Sequence, residues 1–425
     1  MDGSGIIDDL QQRGLVHDST DLDRLRTRLD EGPVTVYAGF DPTASSLHIG
    51  NLVPLLVLRR FQSFGHHPVA LAGGATGMIG DPSGRSDERN LLDAAALDAN
   101  IAGIRPQLAA FLDFTAAGNP ARLVDNRDWT EPIGVLDFLR EVGKHVTVNQ
   151  MLAKESVKAR VTSDQGLSFT EFSYMLLQAN DYWWLHQHVE CEIQVGGSDQ
   201  WGNITAGIDL IRRKAGAHVH GLTVPLVTRS DGQKLGKTAE GAIWLDPQRT
   251  SPYQFFQYFM NVDDRDVERF LLQLTLIDVE EAEAVVAAHR AAPERREAQR
   301  RLAVEATTLV HGPAAAEQAR AASAGFAQAV DELGAEALAA LADEIPTHHV
   351  GADVVGRDLA EVVADLGIER SRGAARRLIE GGGLSVNDEK VEPGRALVGD
   401  DLRHGSYVLL RLGKKRRVLL IVGRA

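Results

Sequence analysis

A histidine and a pair of lysines stand in segments whose composition suits a phosphate-bearing ligand. The segment 47–51 reads Leu-His-Ile-Gly-Asn and begins a predicted helix, where free backbone N–H groups and a partial positive charge attract anions. His48 can donate to a phosphate oxygen there, and Thr43 offers a hydroxyl toward the same space. Lys234 and Lys237 lie three residues apart in a glycine-containing loop, and compact ammonium groups suit a polyphosphate. Taken singly, each segment is more often an ordinary helix start or a solvated basic turn.

Carboxylates and amides gather in two further segments. Residues 73–84 hold five glycines, which lets the backbone approach another group closely. Asp81 is the only acid among them and can hold an ammonium group. Tyr174, Gln178 and Asp181 are spaced i, i+4 and i+7 in a helical pattern, so they share one face. That face is either solvated or lines a pocket, and the glycine run is either a flexible loop or a binding loop.

Two arginines and a third acid occupy similar positions. Arg85 and Arg89 lie in the polar stretch after the glycine run, where they can clamp a phosphate. Asp199 stands at the polar helix start that follows an apolar stretch and Gly196-Gly197, where it can bind a ribose hydroxyl. Each of these polar segments comes directly after an apolar one.

Parallel strands are the elements that can bring these segments together. Residues 34–40 and 68–74 are predicted strands, and residues 48–64 between them are a largely buried helix. This βαβ order predicts a parallel sheet with right-handed crossovers. Ligands of such sheets bind beyond the carboxyl ends of the strands, so the candidate residues are expected just after each strand.

Length and composition describe a multidomain globular chain. Its 425 residues suggest about three domains, and 44% hydrophobic with 24% charged residues excludes a disordered or collagen-like chain. The longest wholly apolar stretch is about six residues, against about 20 for a membrane span, and the N-terminus predicts no signal peptide. The single cysteine, Cys191, excludes an intramolecular disulfide and a thiolate zinc cluster. We therefore expect a cytosolic protein without a membrane segment.

Charge is distributed unevenly along the chain. The formal charge is -14, from 59 Asp+Glu and 45 Lys+Arg, and that value alone disfavours binding to nucleic acid. Residues 355–425, however, hold 14 Lys+Arg and 10 Asp+Glu, a net of +4, so the rest of the chain carries -18. The Ala-rich run 281–345 favours helix and belongs to a predicted helical domain over 246–345. Residues 345–351 contain helix breakers and are predicted as a linker.

Taken together, these segments resemble the class I aminoacyl-tRNA synthetases, and the bacterial tyrosyl-tRNA synthetases in particular. Residues 47–51 resemble the HIGH signature, and residues 234–238, Lys-Leu-Gly-Lys-Thr, resemble the KMSKS loop, in the family's order and about 190 residues apart. Further segments similar to the bacterial tyrosine enzymes are 37–43, 73–84, 173–178 and 196–203. Residues 372–379 and 383–387 are similar to an S4-type RNA-binding domain, so the resemblance spans the whole chain.

Several positions depart from the family's signatures. Asn51 stands where the first signature has its second histidine, and an amide can donate to a ribose oxygen but cannot become charged. Gly236 and Thr238 replace the two serines of the second signature, while both lysines remain. Pro54 falls in the helix after the first signature, where we expect it to be tolerated near the first turn.

The resemblance implies an α/β fold, with a Rossmann-like parallel-sheet catalytic domain followed by an all-helical domain and a small α+β S4-like domain. The implied domains are residues 1–240 (catalytic, with a dimer insert at about 125–165), 241–345 (helical, anticodon-binding), 346–354 (linker) and 355–425 (S4-like, RNA-binding). It also implies ATP-dependent activation of L-tyrosine to tyrosyl-adenylate and transfer of the tyrosyl group to the 3′ end of tRNA(Tyr). The implied partners are ATP with Mg²⁺, L-tyrosine, tRNA(Tyr) and a second copy of the chain in a homodimer, with no zinc and no membrane.

The resemblance also implies roles for individual residues. The implied catalytic residues are Thr43, His48, Arg85, Arg89, Lys234 and Lys237. The implied tyrosine-binding residues are Tyr37 and Asp181 on the phenol hydroxyl, Asp81, Tyr174 and Gln178 on the ammonium group, and Gln194 close by. The implied ATP-binding residues are Gly39, Asp41, Gly50, Asn51, Gly197, Asp199 and Thr238. The implied apolar dimer face is Val135, Leu136, Phe138, Leu139 and Val142, which from sequence alone are otherwise part of the intramolecular core. On charge alone, Lys414, Lys415, Arg416 and Arg417 are either RNA-phosphate contacts or a solvated charge run at a strand start.

Other functions stay open from the sequence. A tryptophanyl-tRNA synthetase shares the architecture, but the implied phenol-binding residues and the S4-like tail argue against it. An RNA-binding protein that kept the fold without catalysis is disfavoured by the signature histidine and lysines together, and a small nucleotidyltransferase leaves the helical domain and the tail unexplained. The pairs His186/His188 and His218/His220 are weak zinc candidates, because no further ligand cluster accompanies them.

Overall fold

The chain folds into two compact units. The computed structural model describes residues 5–83, 92–154, 157–158, 161, 166–232, 235–238, 241–325, 330, 333–342, 345–413 and 416–423. One unit is Met1–Thr250 with Phe259–Val310, and the other is Ser251–Tyr258 with His311–Ala425. This division cuts the helical region near residue 310, so the domain boundaries at 240, 345 and 354 stay a prediction.

A six-stranded sheet forms the centre of the first unit. Its strands are β1 Asp18–Ser19, β2 Thr35–Phe40, β3 His67–Ala72, β4 Arg122–Asp125, β5 Cys191–Gly197 and β6 His220–Val224, and a separate pair is β7 Lys237–Thr238 and β8 Gly241–Ala242. The sheet order is β1-β6-β5-β2-β3-β4, with β2 to β6 parallel and β1 antiparallel at one edge. The predicted parallel sheet is thus confirmed, and both predicted strands agree within two residues.

Helices connect the strands and cover the sheet. Those before residue 250 are α1 Gly5–Gln12, α2 Leu22–Asp30, α3 Leu52–Ser63, α4 Thr76–Ile79, α5 Ala94–Phe111, α6 Arg127–Thr130, α7 Val135–Glu141, α8 Val148–Leu152, α9 Phe169–Val189 and α10 Trp201–Ala215. Nine of the twelve residues of α3 are buried, which confirms the largely buried helix between the first two predicted strands. Pro54 is its third residue. The first N–H groups of a helix have no intrahelical acceptor, so the proline removes no helical hydrogen bond there.

The described residues between 252 and 342 are mainly helical, as predicted for 246–345. The helices are α11 Pro252–Met260, α12 Asp264–Leu274, α13 Val279–Ala291, α14 Glu297–His311, α15 Pro313–Gly325 and α16 Ala335–Ala342. The described residues of 246–345 contain no strand. Within the described ranges, none of the helices combines the length and the apolar character that a membrane crossing requires.

One carboxylate holds two buried guanidinium groups beneath α3. Arg60 and Arg13 are buried, and both contact Asp9 of α1, at 3.3 Å from Arg60 Nη1 and 2.8 Å from Arg13 Nε. Both arginines also donate to backbone carbonyls at the C-terminal end of α12. Burial, followed by repulsion from Arg13, lowers the pKa of Arg60 to about 10. The cluster therefore joins α1, α3 and α12 through charge-assisted hydrogen bonds.

We expect Asp9→Asn to lower the free energy of unfolding by about 3 kcal/mol, because two buried cations lose the carboxylate that compensates them. Thermal or urea denaturation measures the difference. Asp8→Asn is the matched control, since Asp8 is the exposed neighbour on α1 and pairs at the surface with Arg26, so its loss should cost under about 1 kcal/mol. Equal stability of Asp9→Asn and the unsubstituted protein would contradict this view of the cluster.

The second unit is built around a five-stranded sheet. Its strands are β9 Thr347–Val350, β10 Leu384–Val386, β11 Glu389–Lys390, β12 Tyr407–Leu412 and β13 Arg416–Val422, and its two further helices are α17 Leu359–Asp365 and α18 Arg372–Glu380. The order is β11-β10-β12-β13-β9. Val408 and Leu410 of β12 face a core shared with α17 and α18. Leu409 between them packs on the opposite face with Leu338 of α16. This small α+β domain agrees with the predicted fold class.

The segment predicted as a linker contains a strand. β9 pairs in parallel with β13, from Thr347 opposite Leu419 to Val350 opposite Val422. The sequence interpretation rested on Pro346, which does end the helical pattern. A four-residue edge strand has little propensity signal of its own and is stabilised mainly by its partner, which is why composition did not reveal it.

Candidate active site

Four strands end side by side at one edge of the first sheet. β5, β2, β3 and β4 are consecutive neighbours, and Asp41, Gly73-Gly74 and Asn126 directly follow three of them. A Cβ on Gly73 would lie 2.2 Å from Asp41 Oδ1, and one on Gly74 would lie 2.2 Å from Asp125 Oδ1. The glycine run therefore permits the close approach that was expected of it, and what it approaches is a set of carboxylates.

Asp181 of α9 is held in one orientation by two donors. Its Oδ1 accepts from Trp129 Nε1 at 2.8 Å, and its Oδ2 accepts from Asn126 Nδ2 at 2.9 Å. Asn126 is in turn fixed by the N–H of Ala75 and by Thr76 Oγ1. Asp181 is 2% exposed, and burial raises its pKa to about 7, while the two hydrogen bonds oppose the rise. The carboxylate is therefore preorganised in a largely apolar interior.

Two buried polar atoms near Asp181 have no hydrogen-bond partner among the described residues. They are Tyr37 Oη on β2 and Gln194 Oε1 on β5, from residues that are paired in the parallel register of the two strands. Burial, followed by the charge of Asp181, raises the pKa of Tyr37 well above its usual value. An unpaired buried polar group costs about 1–3 kcal/mol. A ligand hydroxyl that bonded to Tyr37 and Asp181 would recover part of that cost.

Asp41 and Asp81 form a second acidic group. Asp41 accepts from Thr76 Oγ1 and from Tyr174 Oη, each at 2.8 Å. Asp81 accepts from Gln200 Nε2 at 2.6 Å and from the backbone N–H two residues further on. Burial, followed by the charges of Asp41 and Asp81, raises the pKa of Tyr174. Asp81 is buried and Asp41 is partly buried, and neighbouring carboxylates favour a cationic ligand group, because a cation relieves their mutual repulsion.

The polar face predicted on α9 lines this site. Tyr174 and Asp181 are buried, and Gln178 is partly buried, with its Oε1 accepting from Asn203 Nδ2 at 3.1 Å. Asn203 also donates to Gln200 Oε1 at 3.2 Å. The face is therefore joined to the start of α10 and is not a solvated stripe.

The first signature forms a capped turn. His48 is the N-cap of a 3-10 turn over Ile49–Asn51, and its Nδ1 accepts from the N–H of Gly50 at 3.0 Å. Asn51 Oδ1 accepts from the backbone N–H of His48 at 3.0 Å. Because Nδ1 is an acceptor, a neutral His48 ring carries its proton on Nε2. Asn51, which replaces the family's second histidine, is thus part of the cap that orients the first one.

The lysine loop, residues 228–238, meets this turn. The N–H of Ile49 donates to the carbonyl of Ile243 at 3.0 Å, and the N–H of Ile243 donates to the carbonyl of Gly236 at 3.0 Å. Gly236 has a φ of +78°, and a Cβ on it would lie 2.1 Å from Ile49 Cγ2. The two signatures, far apart in sequence, are therefore in direct contact.

For the remaining predicted residues, the structure gives only the backbone or the exposure, or does not describe them. Arg85, Arg89, Lys234, Lys414 and Lys415 lie outside the described residues. Lys237 and Thr238 form β7, whose backbone pairs antiparallel with β8. Gly39, Thr43 and Gly50 are exposed, and Gly197 and Asp199 are partly buried at the end of β5. The structure thus brings the predicted tyrosine-binding residues together at the strand ends and joins the turn of His48 to the lysine loop, while the roles of all these residues stay a prediction.

Several hydrogen-bonding residues of the site were not predicted from the sequence. They are Thr76, Asn126, Trp129, Gln200 and Asn203. Asn126 directly follows β4, so the strand-end rule points to it once that strand is known. β4 has only four residues, three of them not fully buried, and gives a weak sequence signal. Gln200 and Asn203 flank the start of α10 in the same segment as Asp199, and that polar helix start was the available signal.

The predicted dimer insert exposes apolar side chains. Exposed large apolar residues in and beside it are Val135, Leu136, Leu139, Val148, Leu152, Val161 and Phe169. Phe138 and Val142, which were predicted on the same face as Val135, instead pack inward with Met151 and Met175. Val142, at 2% exposed, does not belong to an exposed face, because it packs within its own domain. Phe138 is only partly buried, and its place on the dimer face stays a prediction.

The described residues contain no group of three His, Cys, Asp or Glu side chains that could hold a metal ion. His186 Nδ1 lies 3.1 Å from the carbonyl oxygen of Cys191, and His188 Nδ1 lies 2.9 Å from that of Trp184. Burial raises the pKa of the Cys191 thiol. These histidines therefore make local backbone contacts.

Comparison with known proteins agrees along the whole chain. Residues 29–328 match the family described as tRNA synthetases class I (W and Y), and residues 337–420 match the one described as the tyrosine–tRNA ligase SYY-like C-terminal domain. A tyrosine–tRNA ligase of Opitutus terrae is 54% identical over 415 residues, covering 96% of this chain and 98% of that protein. A tyrosine–tRNA ligase of Geobacillus stearothermophilus is 49% identical over 419 residues, covering 98% and 99%.

Solved structures give the same picture of the fold. A C-terminally truncated mitochondrial tyrosyl-tRNA synthetase of Aspergillus nidulans has a TM-score of 0.69 and 32% identity, covering 76% of this chain and 94% of that one. A tryptophanyl-tRNA synthetase of Encephalitozoon cuniculi has a TM-score of 0.52 and 14% identity, covering 73% and 86%. The second likeness shows the fold alone.

Proposed function

Since the chain belongs to the class I tyrosine–tRNA ligases, we propose how its residues divide the work of that reaction. The protein joins L-tyrosine to tRNA at the expense of ATP. The tyrosine carboxylate attacks the α-phosphate of ATP, a carboxylate–phosphorus bond forms, and the bond to the β-phosphate breaks with release of pyrophosphate. A hydroxyl of the 3′-terminal ribose of tRNA(Tyr) then takes the tyrosyl group, and AMP leaves.

The substrate side chain is recognised where Tyr37, Asp181 and Gln194 meet. The observation that carries this assignment is the preorganised Asp181 carboxylate beside two buried and unpaired polar atoms. A phenol hydroxyl can donate to Asp181 and accept from Tyr37. Phenylalanine would leave the buried Tyr37 hydroxyl without a partner and Asp181 without the phenol donor, and tyrosyl-tRNA synthetases are themselves a known example of rejection by this means.

The ammonium group of the substrate is held by Asp81, Tyr174 and Gln178. Asp81 and Gln178 share one hydrogen-bonded network with Gln200 and Asn203, and Tyr174 donates to the nearby Asp41. A cation placed there meets the charge of Asp81 and the nearby charge of Asp41. The ammonium and phenol ends of tyrosine are thereby fixed from two sides, which orients the carboxylate toward the nucleotide.

Activation needs no protein nucleophile, because the substrate carboxylate already is one. Catalysis is then positioning and stabilisation of phosphate charge. For this we propose His48 and Thr43, with the ammonium groups of Lys234 and Lys237 and with Arg85 and Arg89 on the pyrophosphate. His48 fits the role because its proton is directed to Nε2 by the capped turn.

The nucleotide lies along the carboxyl edge of the sheet. We propose that it contacts Gly39, Asp41, Gly50, Asn51, Gly197, Asp199 and Thr238. Asp199 suits a ribose hydroxyl, because a carboxylate accepts two such hydrogen bonds. Mg²⁺ arrives as the ATP complex and is held mainly by phosphate oxygens and water, as is usual for this ion.

The test of this proposal is tyrosine-dependent exchange of pyrophosphate into ATP, followed by charging of tRNA(Tyr). We expect exchange with tyrosine to be far faster than exchange with tryptophan or phenylalanine at equal concentration. Exchange driven equally well by tryptophan would contradict the assigned side-chain pocket, and absence of any exchange would contradict the catalytic assignment.

The second unit grips tRNA through its basic helix, and we propose α18 as one contact. Ser371 caps α18, Ala375 and Ile379 face the core, and Arg376 and Arg377 are exposed. Their outward guanidinium groups suit RNA phosphates. Arg416 and Arg417, with Lys414 and Lys415 before them, add to the same charge excess of this part of the chain.

We expect Arg376→Ala with Arg377→Ala to raise the KM for tRNA(Tyr) about tenfold and to reduce its salt dependence, because two phosphate contacts are lost. Pyrophosphate exchange without tRNA should be unchanged, which separates RNA binding from activation. The control is the double lysine variant, which keeps the charge and should keep most of the affinity. An unchanged KM at low salt would remove α18 from the interface.

We propose that the protein is a homodimer, in which the second copy covers the apolar surface of the insert. We also propose that it acts in the cytoplasm. Leu136 is 73% exposed and Phe169 is 77% exposed. A single exposed apolar residue is ordinary, but several in one region mark an interaction surface. Sedimentation at micromolar concentration should give twice the chain mass, and Leu136→Asp should shift it to a monomer. Val398→Asp, on another exposed apolar residue, is the control. A monomeric unsubstituted protein would overturn the proposal.

A further inference from the structure

The start of α12 is tied to the lysine loop by two charged side chains. Asp266 is 3% exposed, and its Oδ2 accepts from the backbone N–H of Ser230 at 2.8 Å. Its Oδ1 accepts from Arg269 Nη2 at 2.6 Å. Arg269 Nη2 donates as well to the carbonyl of Thr228. The pair therefore satisfies one donor and one acceptor of the loop backbone, two residues apart.

These contacts act on residues 226–230, which we call the stem and which precede Lys234 and Lys237 in the chain. The N–H of Leu235 donates to the carbonyl of Val227 at 2.9 Å, and this hydrogen bond closes the loop between the two residues. Gly236 follows at once and presses against Ile49 of the first signature. A displacement of Ser230 is therefore transmitted to both ends of the lysine segment over a few residues.

Polar contacts, more than packing, set the distance between the stem and α12. A cavity of about 530 Å³ lies between them, lined on one side by Leu226 and Val227 and on the other by Arg269 and Leu272. Side chains across such a cavity make few van der Waals contacts. A buried carboxylate is costly unless it is paired and hydrogen-bonded, and Asp266 meets both conditions through the loop.

We propose that Asp266 and Arg269 are positioning residues for the activation step. They fix the base of the lysine loop in the position from which Lys234 and Lys237 reach the phosphates of ATP. The inference rests on the proposed function of those lysines. The pair is one helical turn apart, so its geometry is set by α12 before substrate binds. Neither residue touches a substrate, and the tyrosine pocket is formed by other elements.

The test compares Asp266→Asn with Asp263→Asn in tyrosine-dependent pyrophosphate exchange. The amide at 266 can still accept from Ser230 but no longer carries the charge that holds Arg269. We expect kcat/KM for ATP to fall about tenfold, with the KM for tyrosine unchanged and the melting temperature close to that of the unsubstituted protein. Asp263 is the exposed N-cap of the same helix, and asparagine caps equally well, so that variant should behave as the unsubstituted protein.

A second variant keeps the inference testable if Asp266→Asn does not fold. Arg269→Lys retains a cation for Asp266 but cannot span to the carbonyl of Thr228 as a guanidinium does, and the same loss specific to ATP is expected. Unchanged ATP kinetics in a folded variant would overturn the proposal. So would equal losses for ATP and tyrosine together with a lower melting temperature, which indicate a structural role. Failure of the proposed function is separate, since the unsubstituted protein would then show no tyrosine-dependent exchange. Failure of the lysine assignment is separate as well, since Lys234→Ala and Lys237→Ala would then keep the ATP kinetics of the unsubstituted protein.

Discussion

Replacing Asp181 by alanine should lower kcat/KM for tyrosine about 100-fold and leave that for phenylalanine much less changed, so most of the preference between the two amino acids is lost. A hydrogen bond to a charged partner contributes about 1.5–3 kcal/mol, and here the carboxylate is already oriented by Trp129 and Asn126. Phenylalanine has no hydroxyl and never makes that hydrogen bond, so its kcat/KM does not depend on it. Pyrophosphate exchange with each amino acid, at saturating ATP, measures both ratios.

Asp181→Ala also leaves two buried donors without their acceptor, so a loss of stability has to be separated from the loss of specificity. Tyr37→Phe makes the separation. It removes a hydroxyl that has no partner among the described residues, so stability should stay equal or rise by about 1 kcal/mol. Tyrosine preference should still fall, about tenfold. If Tyr37→Phe were as selective as the unsubstituted enzyme, or Asp181→Ala kept its preference, the phenol site would lie elsewhere.

Much of this pocket follows from one rule of parallel sheets. Asp81 and Asp199 were found in the sequence because each follows an apolar stretch with strand character, and ligands bind beyond such ends. Asp41 also follows a predicted strand, but only the resemblance implied a role for it. Tyr174 and Asp181 were found by helical spacing. Asn126 was not, because β4 is a short edge strand of the sheet whose pairing with β3 is visible only in the fold.

Other features depend on contacts that the sequence does not encode locally. The sequence predicted Asp181 as a hydrogen-bond partner, but its raised pKa comes from burial, which depends on helices far away in the chain. Phe138 and Val142 share an apolar pattern with Leu136, and only tertiary packing decides which of them turn inward. The net charge of -14 likewise says little about α18, because an RNA phosphate responds to the field of nearby groups and distant charges are screened.

The contact between the two signatures predicts the second large effect. Gly236→Ala should lower kcat of pyrophosphate exchange about 100-fold with little change in the KM for tyrosine. Its φ of +78° disfavours any side chain, and a Cβ would stand 2.1 Å from Ile49 Cγ2. The loop must therefore shift away from the turn that carries His48, and both lysines shift with it. Positioning errors of about 1 Å can cost about 100-fold in rate.

Gly232 supplies the matched control within the same loop. It also has a positive φ, +83°, but a Cβ there meets nothing within 4 Å among the described residues, so Gly232→Ala carries the backbone strain without the collision. We expect it to lose less than about fivefold in kcat, since strain alone costs about 1 kcal/mol. Adding Ile49→Ala to Gly236→Ala removes the methyl group in the way and should recover part of the rate. Equal losses at 232 and 236, with no recovery in the double variant, would assign the effect to backbone strain and refute the contact as the element that positions the lysines.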